Sequence, residues 1–135
     1  MRKKHAFTLV ELIMVVTIIG MMAIFVIPNY SKSVNKAYEK AATNNLLTIY
    51  AAQKNIKNNG GTYLAPADIT ALNDPNNGLN LSIIGNGMSY DCAAPGGTTF
   101  TCTATRDDNS FAVHITDASA TVCCSAGTCP SLAGC

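Results

Sequence analysis

The sequence predicts an α+β fold, in which a long N-terminal helix packs on a small antiparallel β-sheet. Two observations support this fold class. Residues 7–58 contain a long apolar run that passes into an apolar stripe of helical period. Residues 88–135 alternate apolar and polar side chains with period two and contain all six cysteines. We therefore divide the chain into a basic segment 1–6, an apolar helical half 7–29, an amphipathic helical half 30–58 and a globular head 59–135.

The apolar half begins with a run that is long enough to cross a membrane. Phe7 to Ile27 has 21 residues and one charge, Glu11, and as a helix it would span about 30 Å. Basic residues 2–4 precede the run, which predicts that this end stays in the cytoplasm. The run is longer than the apolar core of about 7–15 residues in a secretory signal. A plain membrane anchor does not explain Glu11, because a carboxylate without a partner in hydrocarbon costs about 2–3 kcal/mol. We therefore expect a partner that arrives later.

The junction that precedes this run resembles a known processing site. The residues KHAFTLVELI, from Lys4 to Ile13, are similar to the N-terminus of the type IV pilin family, which includes type II secretion pseudopilins and competence pilins. The resemblance covers about the first 30 residues. It implies that prepilin peptidase cuts between Ala6 and Phe7, so that residues 1–6 are a leader peptide, and that the new amine of Phe7 is methylated. The family usually has Gly before the cut, where this chain has Ala6.

The resemblance also implies roles in assembly. The amine of Phe7 would approach the carboxylate of Glu11 on a neighbouring subunit. In a water-poor filament core, either charge alone would cost several kcal/mol, so the pair would fix the axial register. Gly20 and Pro28 lie where the family carries a Gly and a Pro that weaken the helix, and we expect this stretch to loosen on assembly. A simple kink at Pro28 in a membrane helix is the alternative.

The amphipathic half carries two patterns of helical period. One is an apolar stripe that we expect to support the head; it consists of Val34, Tyr38, Ala42, Leu46, Ile49, Ala52 and Ile56. The other is a basic row of Lys32, Lys36 and Lys40. Asn58-Asn59-Gly60-Gly61 is a helix stop signal.

Charge separates the amphipathic half from the head. Residues 30–58 hold five lysines and one glutamate, which gives 5 − 1 = +4. Residues 59–135 hold one arginine and six aspartates, which gives 1 − 6 = −5. An acidic head argues against direct nucleic-acid binding, since attraction to phosphates requires clustered cations. The two blocks predict attraction between the helix of one subunit and the heads of its neighbours.

The head divides into a variable loop 59–87 and a sheet with a disulfide-rich C-terminus, 88–135. In the loop we expect a short helix from Pro66 to Leu72, with Pro66 in its first turn, and a turn from Asp74 to Gly78. Period-two alternation predicts three strands and Arg106–Ser110 as a hairpin turn. The apolar positions of the strands are Met88, Tyr90 and Cys92; Phe100, Cys102 and Ala104; and Phe111, Val113 and Ile115, with Ala120, Val122 and Cys124 as a candidate fourth strand.

The cysteines indicate disulfides formed outside the cytoplasm, because their number is even and an export-like N-terminus precedes them. Cys92 and Cys102 belong to the apolar phase of adjacent strands, so we expect them to pair. Adjacent strand residues point to opposite faces, so Cys123 and Cys124 should take separate partners. Two arrangements with Cys129 and Cys135 stay open. A zinc site built from these last four cysteines is the alternative, although they lack paired CxxC spacing.

The remaining polar residues give weak signals of chemistry. His114 is expected on the outward face of its strand, with no nucleophile placed beside it by a motif. Asp107, Asp108 and Asn109 resemble the acidic calcium loop of major secretion pseudopilins, but turn chemistry explains them equally well. We predict no catalytic site, resident metal or other cofactor.

The functional expectation is a structural subunit of a type IV pilus. Its expected partners are copies of itself, prepilin peptidase, the inner-membrane assembly machinery and, before assembly, the membrane. The precursor would lie in the inner membrane with a cytoplasmic N-terminus, and the assembled filament would lie on the cell surface. A type II secretion pseudopilin is one alternative. A membrane-tethered adhesive or binding module that never polymerises is another.

Overall fold

The computed structural model describes residues 7–76 and 78–135, and for residues 25–29 it describes the helical backbone but not the side chains. The chain forms two compact units, Met1–Val34 and Asn35–Cys135. The elements, in chain order, are α1 (Leu9–Asn58), α2 (Ile69–Asn73), β1 (Met88–Ala93), a 3-10 turn (Pro95–Gly97), β2 (Thr101–Arg106), β3 (Phe111–Thr116) and β4 (Ser119–Gly127).

Helix α1 ends at the predicted stop signal. The amide of Gly61 donates to the carbonyl of Ile56 at 3.1 Å, and the amide of Gly60 donates to the carbonyl of Lys57 at 3.1 Å. This pair of bonds is the Schellman motif, which satisfies the last free carbonyls of a helix. Gly60 has φ = 85°, a conformation that glycine adopts without a steric penalty.

The four strands form one antiparallel sheet in the order β1-β2-β3-β4, which confirms the α+β fold class. Burial in β1 follows the predicted alternation, with Met88, Tyr90 and Cys92 inside. The β2–β3 connection is the predicted hairpin turn. In it the amide of Asn109 donates to the carbonyl of Arg106 at 2.8 Å, and the amide of Ser110 donates to Asp108 Oδ1 at 2.9 Å.

The core of the second unit lies between the apolar stripe of α1 and the inner face of the sheet. Ala42, Leu46 and Ile49 are fully buried and belong to one cluster with residues of the sheet. Phe100 is the aromatic centre of this cluster. Its ring packs edge-on against Tyr63, with ring centroids 4.8 Å apart, and lies 5.8 Å from the ring of Tyr50.

Two buried polar residues of α1 were not singled out by the sequence pattern. Gln53 is fully buried; its amide donates to the carbonyl of Leu64 at 2.7 Å and accepts from the Leu64 amide at 3.0 Å. Glu39 is 2% exposed, and its carboxylate accepts hydrogen bonds from the amide of Ser131, at 3.0 Å, and from the Ser131 hydroxyl. Gln53 therefore joins α1 to the loop that follows it, and Glu39 joins α1 to the distant C-terminal residues, because a buried polar group needs a partner.

The fourth strand is present, but its predicted phase is wrong. Strand β4 buries Val122 and Cys123, whereas Ala120 is exposed and Cys124 is half-buried. The reason is irregular pairing, since the β3–β4 register shifts between Ala112 and Val113 and again between His114 and Thr116. A register shift of this kind breaks period-two alternation.

The short helix of the loop also begins later than predicted. Helix α2 starts at Ile69, and the side chain of Asp68 caps it by accepting from the Ala71 amide at 2.8 Å. Pro66 therefore lies before the helix and not in its first turn. Its carbonyl instead accepts from the Cys92 amide at 2.8 Å, a bond that covers part of the outer edge of β1.

All six cysteines are in disulfides, as predicted. Cys92 pairs with Cys102 directly across β1 and β2, with Cα atoms 4.0 Å apart. Cys123 and Cys124 take separate partners, and the structure chooses between the two open arrangements: Cys123 pairs with Cys135, and Cys124 pairs with Cys129. The cysteines of the alternative zinc site are thus joined to one another by covalent bonds.

Candidate functional site

The N-terminus of α1 forms a capping box. The amide and the hydroxyl of Thr8 both donate to Glu11 Oε2, at 2.9 and 3.0 Å. In return, the amide of Glu11 donates to Thr8 Oγ1 at 3.3 Å. The spacing T-x-x-E is the sequence signature of this motif, in which two free amide donors at a helix start are satisfied reciprocally.

This geometry changes the interpretation of Glu11. The apolar run alone suggested a carboxylate without a local partner, but Thr8 is such a partner. Glu11 therefore has a role in the single chain as a helix-capping residue. Thr8 is the functional residue that the sequence reasoning missed, and the T-x-x-E spacing was the signal that could have identified it.

The apolar segment that follows is open to solvent in the single chain. Every residue from Phe7 to Ile24 is exposed, and the exposed fraction is 86% for Phe7 and 53% for Ile13. The hydroxyl of Thr17 does not break this surface, because it bonds to the helix's own carbonyls at Ile13 and Met14. The segment thus presents apolar side chains on all faces of the helix.

Within the part of the chain that the structure describes, no helix combines the length and the hydropathy of a membrane span. The predicted span, residues 7–29, includes residues 25–29, whose side chains lie outside the described part. Membrane crossing therefore stays a prediction.

The structure describes only some of the predicted processing and assembly residues. Ala6 lies outside the described residues, and so does the side chain of Pro28. The backbone of α1 is helical through Gly20 and Pro28 in the single chain, so the expected loosening on assembly stays a prediction. A Cβ atom added at Gly20 would meet nothing within 4 Å, so packing within the subunit does not require glycine there.

Fewer lysines of α1 are exposed than the charge count of residues 30–58 suggests. Lys32, Lys36 and Lys40 are exposed, whereas Lys54 and Lys57 are half-buried. The ammonium group of Lys54 donates to the Tyr63 hydroxyl at 3.1 Å and to a backbone carbonyl, that of Asp117, at 2.8 Å. The bond to Tyr63 raises the pKa of Lys54. Lys54 and Lys57 are thus half-buried beside the head, and the other three lysines of α1 are exposed.

The acidic turn binds a cation supplied by the chain. Arg106 Nε lies 3.4 Å from Asp108 Oδ2, and the Arg106 guanidinium lies 3.4 Å from the centroid of the Tyr38 ring. Hydrogen bonds from Ser110, together with Arg106, lower the pKa of Asp108. Among the described residues, no group of three or more His, Cys, Asp or Glu is placed to hold a metal ion.

His114 is less exposed than predicted. It is half-buried on the outer side of the sheet, and its Nδ1 has no hydrogen-bond partner within the described residues. It lines a cavity of about 270 Å³ with hydroxyl-bearing residues and the Cys123–Cys135 disulfide. The structure places no carboxylate side chain in this lining to orient the imidazole for catalysis.

Known proteins are similar to this chain in its N-terminal segment. Residues 1–27 match the family described as the prokaryotic N-terminal methylation motif. The chain is 42% identical over 52 residues to the type IV major pilin protein PilA of Myxococcus xanthus. This match covers 38% of the chain and 24% of the relative, so the chain spans about a quarter of the length of that pilin. No solved structure gives a significant match.

The residues that match the methylation motif include the capping box and the exposed apolar surface. The matched motif includes Thr8 and Glu11 of the capping box and the exposed apolar surface up to Ile24. Together, α1 and the head give an α+β fold with one four-stranded sheet and three disulfides. The chain thus carries an N-terminal methylation motif and is similar over 52 residues to a type IV major pilin.

Proposed function

We propose that the chain is a structural subunit of a type IV pilus, processed by prepilin peptidase and polymerised through its N-terminal helix. The observation that carries the proposal is the apolar surface of residues 7–24, which lies within a methylation motif and is exposed in the single chain. Soluble monomers rarely expose a contiguous apolar surface of this extent. Other molecules must therefore cover it, first membrane lipid and then copies of the same helix.

The capping box gives the Glu11 carboxylate hydrogen-bond donors before assembly. Before processing, hydrogen bonds from Thr8 satisfy its carboxylate. After cleavage between Ala6 and Phe7, the new amine of Phe7 is a stronger partner for a carboxylate than a neutral hydroxyl is. Exchange of the Thr8 bonds for the amine of a neighbouring subunit would then fix the axial register.

The head contributes a rigid exterior to the proposed filament. Its three disulfides and its continuous core are suited to a surface fibre, which must resist shear and proteolysis. The role of the chain would then be mechanical. Adhesion, motility or DNA uptake would be properties of the assembled fibre. The partners in this role are copies of the chain, prepilin peptidase and the inner-membrane assembly machinery.

The proposal is tested by shearing filaments from cells that make the unmodified chain, Glu11→Ala or Asp91→Ala. Asp91 is an exposed carboxylate of the head, so its variant is a control for the loss of one negative charge. We expect filaments from the unmodified chain and from Asp91→Ala. We expect Glu11→Ala to insert in the membrane normally but to lose filament yield by about tenfold or more, since one partner of a buried charge pair is missing.

Two results would contradict the proposal. Equal filament yield from Glu11→Ala would remove the pairing argument. Stable membrane-bound chain that never enters the sheared fraction would instead favour a secretion pseudopilin or a tethered module.

A further inference from the structure

The C-terminal residues 128–135 are attached to the head by two disulfides and are here called the strap. Cys129 joins the strap to Cys124, and Cys135 joins it to Cys123. Between these two anchor points, the amide of Cys124 donates to the carbonyl of Ala133 at 3.0 Å. The strap therefore lies beside β4 and is held at both of its ends.

The middle of the strap satisfies a buried carboxylate of α1. Ser131 lies between the two anchoring cysteines, and both its amide and its hydroxyl donate to Glu39. Glu39 is 2% exposed, so water does not replace these donors. Residues 39 and 131 are distant in sequence, and the strap is held near Glu39 by its two disulfides, by the Cys124–Ala133 hydrogen bond and by packing of Leu132 against the core.

The three disulfides differ in their exposure. Cys92 and Cys102 are both buried in the inner face of the sheet. In contrast, each strap disulfide has at least one accessible sulfur: Cys124 and Cys129 are half-buried, and Cys135 is exposed although its partner Cys123 is buried. Attack by a thiolate requires access to a sulfur atom, so a reductant reaches the strap disulfides more easily than the cross-strand one.

We propose that the strap is a redox-sensitive cover over Glu39. A dithiol reduces Cys124–Cys129 and then Cys123–Cys135; each step converts one disulfide to two thiols and the dithiol to its cyclic disulfide. Two electrons and two protons pass from the reagent to each cysteine pair. The released strap withdraws Ser131, and the Glu39 carboxylate loses both donors. The turn of α1 around Glu39 then opens to water, because a buried acceptor without partners is unstable. The proposal does not depend on filament assembly.

The experiment uses the full chain in detergent micelles, titrated with dithiothreitol, alkylated and mapped by peptide analysis. We expect the two strap disulfides to open at a concentration about tenfold or more below that needed for Cys92–Cys102, because of their exposure. Hydrogen exchange of residues 36–43 should then become at least about fivefold faster, as expected for the loss of donors to a buried group. Exchange at Leu46 to Gln53 should not change, because that part of α1 packs against the core and the loop.

Variants of the oxidised chain separate the Ser131 contact from the effect of reduction. Ser131→Ala should speed exchange of residues 36–43, and Ser131→Thr, which keeps the hydroxyl, should restore protection. Ser125→Ala, at an exposed serine of β4, is the matched control and should leave exchange unchanged. Simultaneous opening of all three disulfides would overturn the proposal. Selective opening of the strap disulfides with unchanged hydrogen exchange around Glu39 would also overturn the proposal. The titration of the unmodified chain gives this result even if Ser131→Ala fails to fold.

Discussion

Apolar side chains of one helix, α1, have opposite environments in the two units of the chain. In the first unit, Leu12 and Ile13 are 64% and 53% exposed. In the second, Leu46 and Ile49 are fully buried beneath the sheet. The residue types are the same and the backbone is helical in both places, so residue type and helix propensity do not explain the difference.

What differs is whether the chain supplies its own cover. The second unit carries its own cover, which includes a four-stranded sheet, and its core is closed within one subunit. The first unit has a capping box at its start, and its side chains from Phe7 to Ile24 are exposed. The core of the head is therefore closed within the single chain, and we propose that other molecules cover the N-terminal segment. The predictions below test this division.

The largest expected effect is the loss of stability of the head when a core residue is substituted in one unit but not in the other. Phe100→Ala should destabilise the head by about 3–5 kcal/mol, because it removes a buried aromatic ring that packs against Tyr63 and Tyr50. Leu12→Ala is the matched control in the first unit and should change the stability of the head by less than about 0.5 kcal/mol. Chemical unfolding of the full chain in detergent, followed by near-UV circular dichroism, measures both values. Similar losses from the two variants would show that the head is not closed without the N-terminal segment.

The second expected effect concerns the cross-strand disulfide of the head. The double variant Cys92→Ser/Cys102→Ser should lose roughly 2–3 kcal/mol, since it frees a loop of about ten residues in the unfolded chain. Membrane insertion of the N-terminal segment should be unchanged. Unfolding midpoints and membrane fractionation of the same preparation check both statements. A double variant as stable as the unmodified chain would show that the core holds β1 and β2 together without the covalent bond.

The sequence predicted most of what depends on regular periodicity. The stripe of α1, the three strands from Met88 to Ile115 and the pairing of Cys92 with Cys102 all follow from spacings of 3.6 or two residues. The phase of β4 did not follow, because two register shifts interrupt its alternation. The choice between Cys129 and Cys135 as partners depended on the path of an irregular segment, which no periodicity encodes.

Side-chain roles were harder to predict than strands. Glu39 is one of several charged residues in a helical pattern, and its burial depends on Ser131, far along the chain. Lys54 was counted with the surface charges, but it binds Tyr63 inside its own head. Thr8 could have been found, since the capping box is local in sequence. Local motifs are thus accessible to sequence reasoning, and contacts between distant segments require the structure.

A smaller effect tests whether the exposed lysines contact neighbouring heads. Lys32, Lys36 and Lys40 are exposed on α1, and the head carries a formal charge of −5. Exposed ion pairs contribute about 0–1 kcal/mol each and are screened by salt, so filaments should dissociate more readily as salt is raised. Lys36→Gln and Lys40→Gln should reduce this salt dependence. Filament stability that is independent of salt would limit contact between subunits to the apolar segment.

The smallest expected effect is the pH dependence of the hairpin turn. The folded-state pKa of Asp108 is lowered by hydrogen bonds from Ser110 and by Arg106. A lowered pKa contributes stability that is present above the unfolded pKa, near 4, and is lost as the pH falls through the folded value. Asp108→Asn should therefore flatten the acid limb of the head's stability curve slightly. Urea unfolding at several acidic pH values measures this change, and an identical slope in the variant would assign the acid limb to other carboxylates.

The central claim is that the N-terminal segment is a processed assembly element and the head is a closed, disulfide-bonded unit. Intact mass and N-terminal sequencing of the chain from sheared filaments test this claim most directly. We expect a chain that begins at Phe7 with a methylated amine and carries three intact disulfides. Assembled chain that still contains Met1–Ala6, or that begins at another residue, would contradict the account.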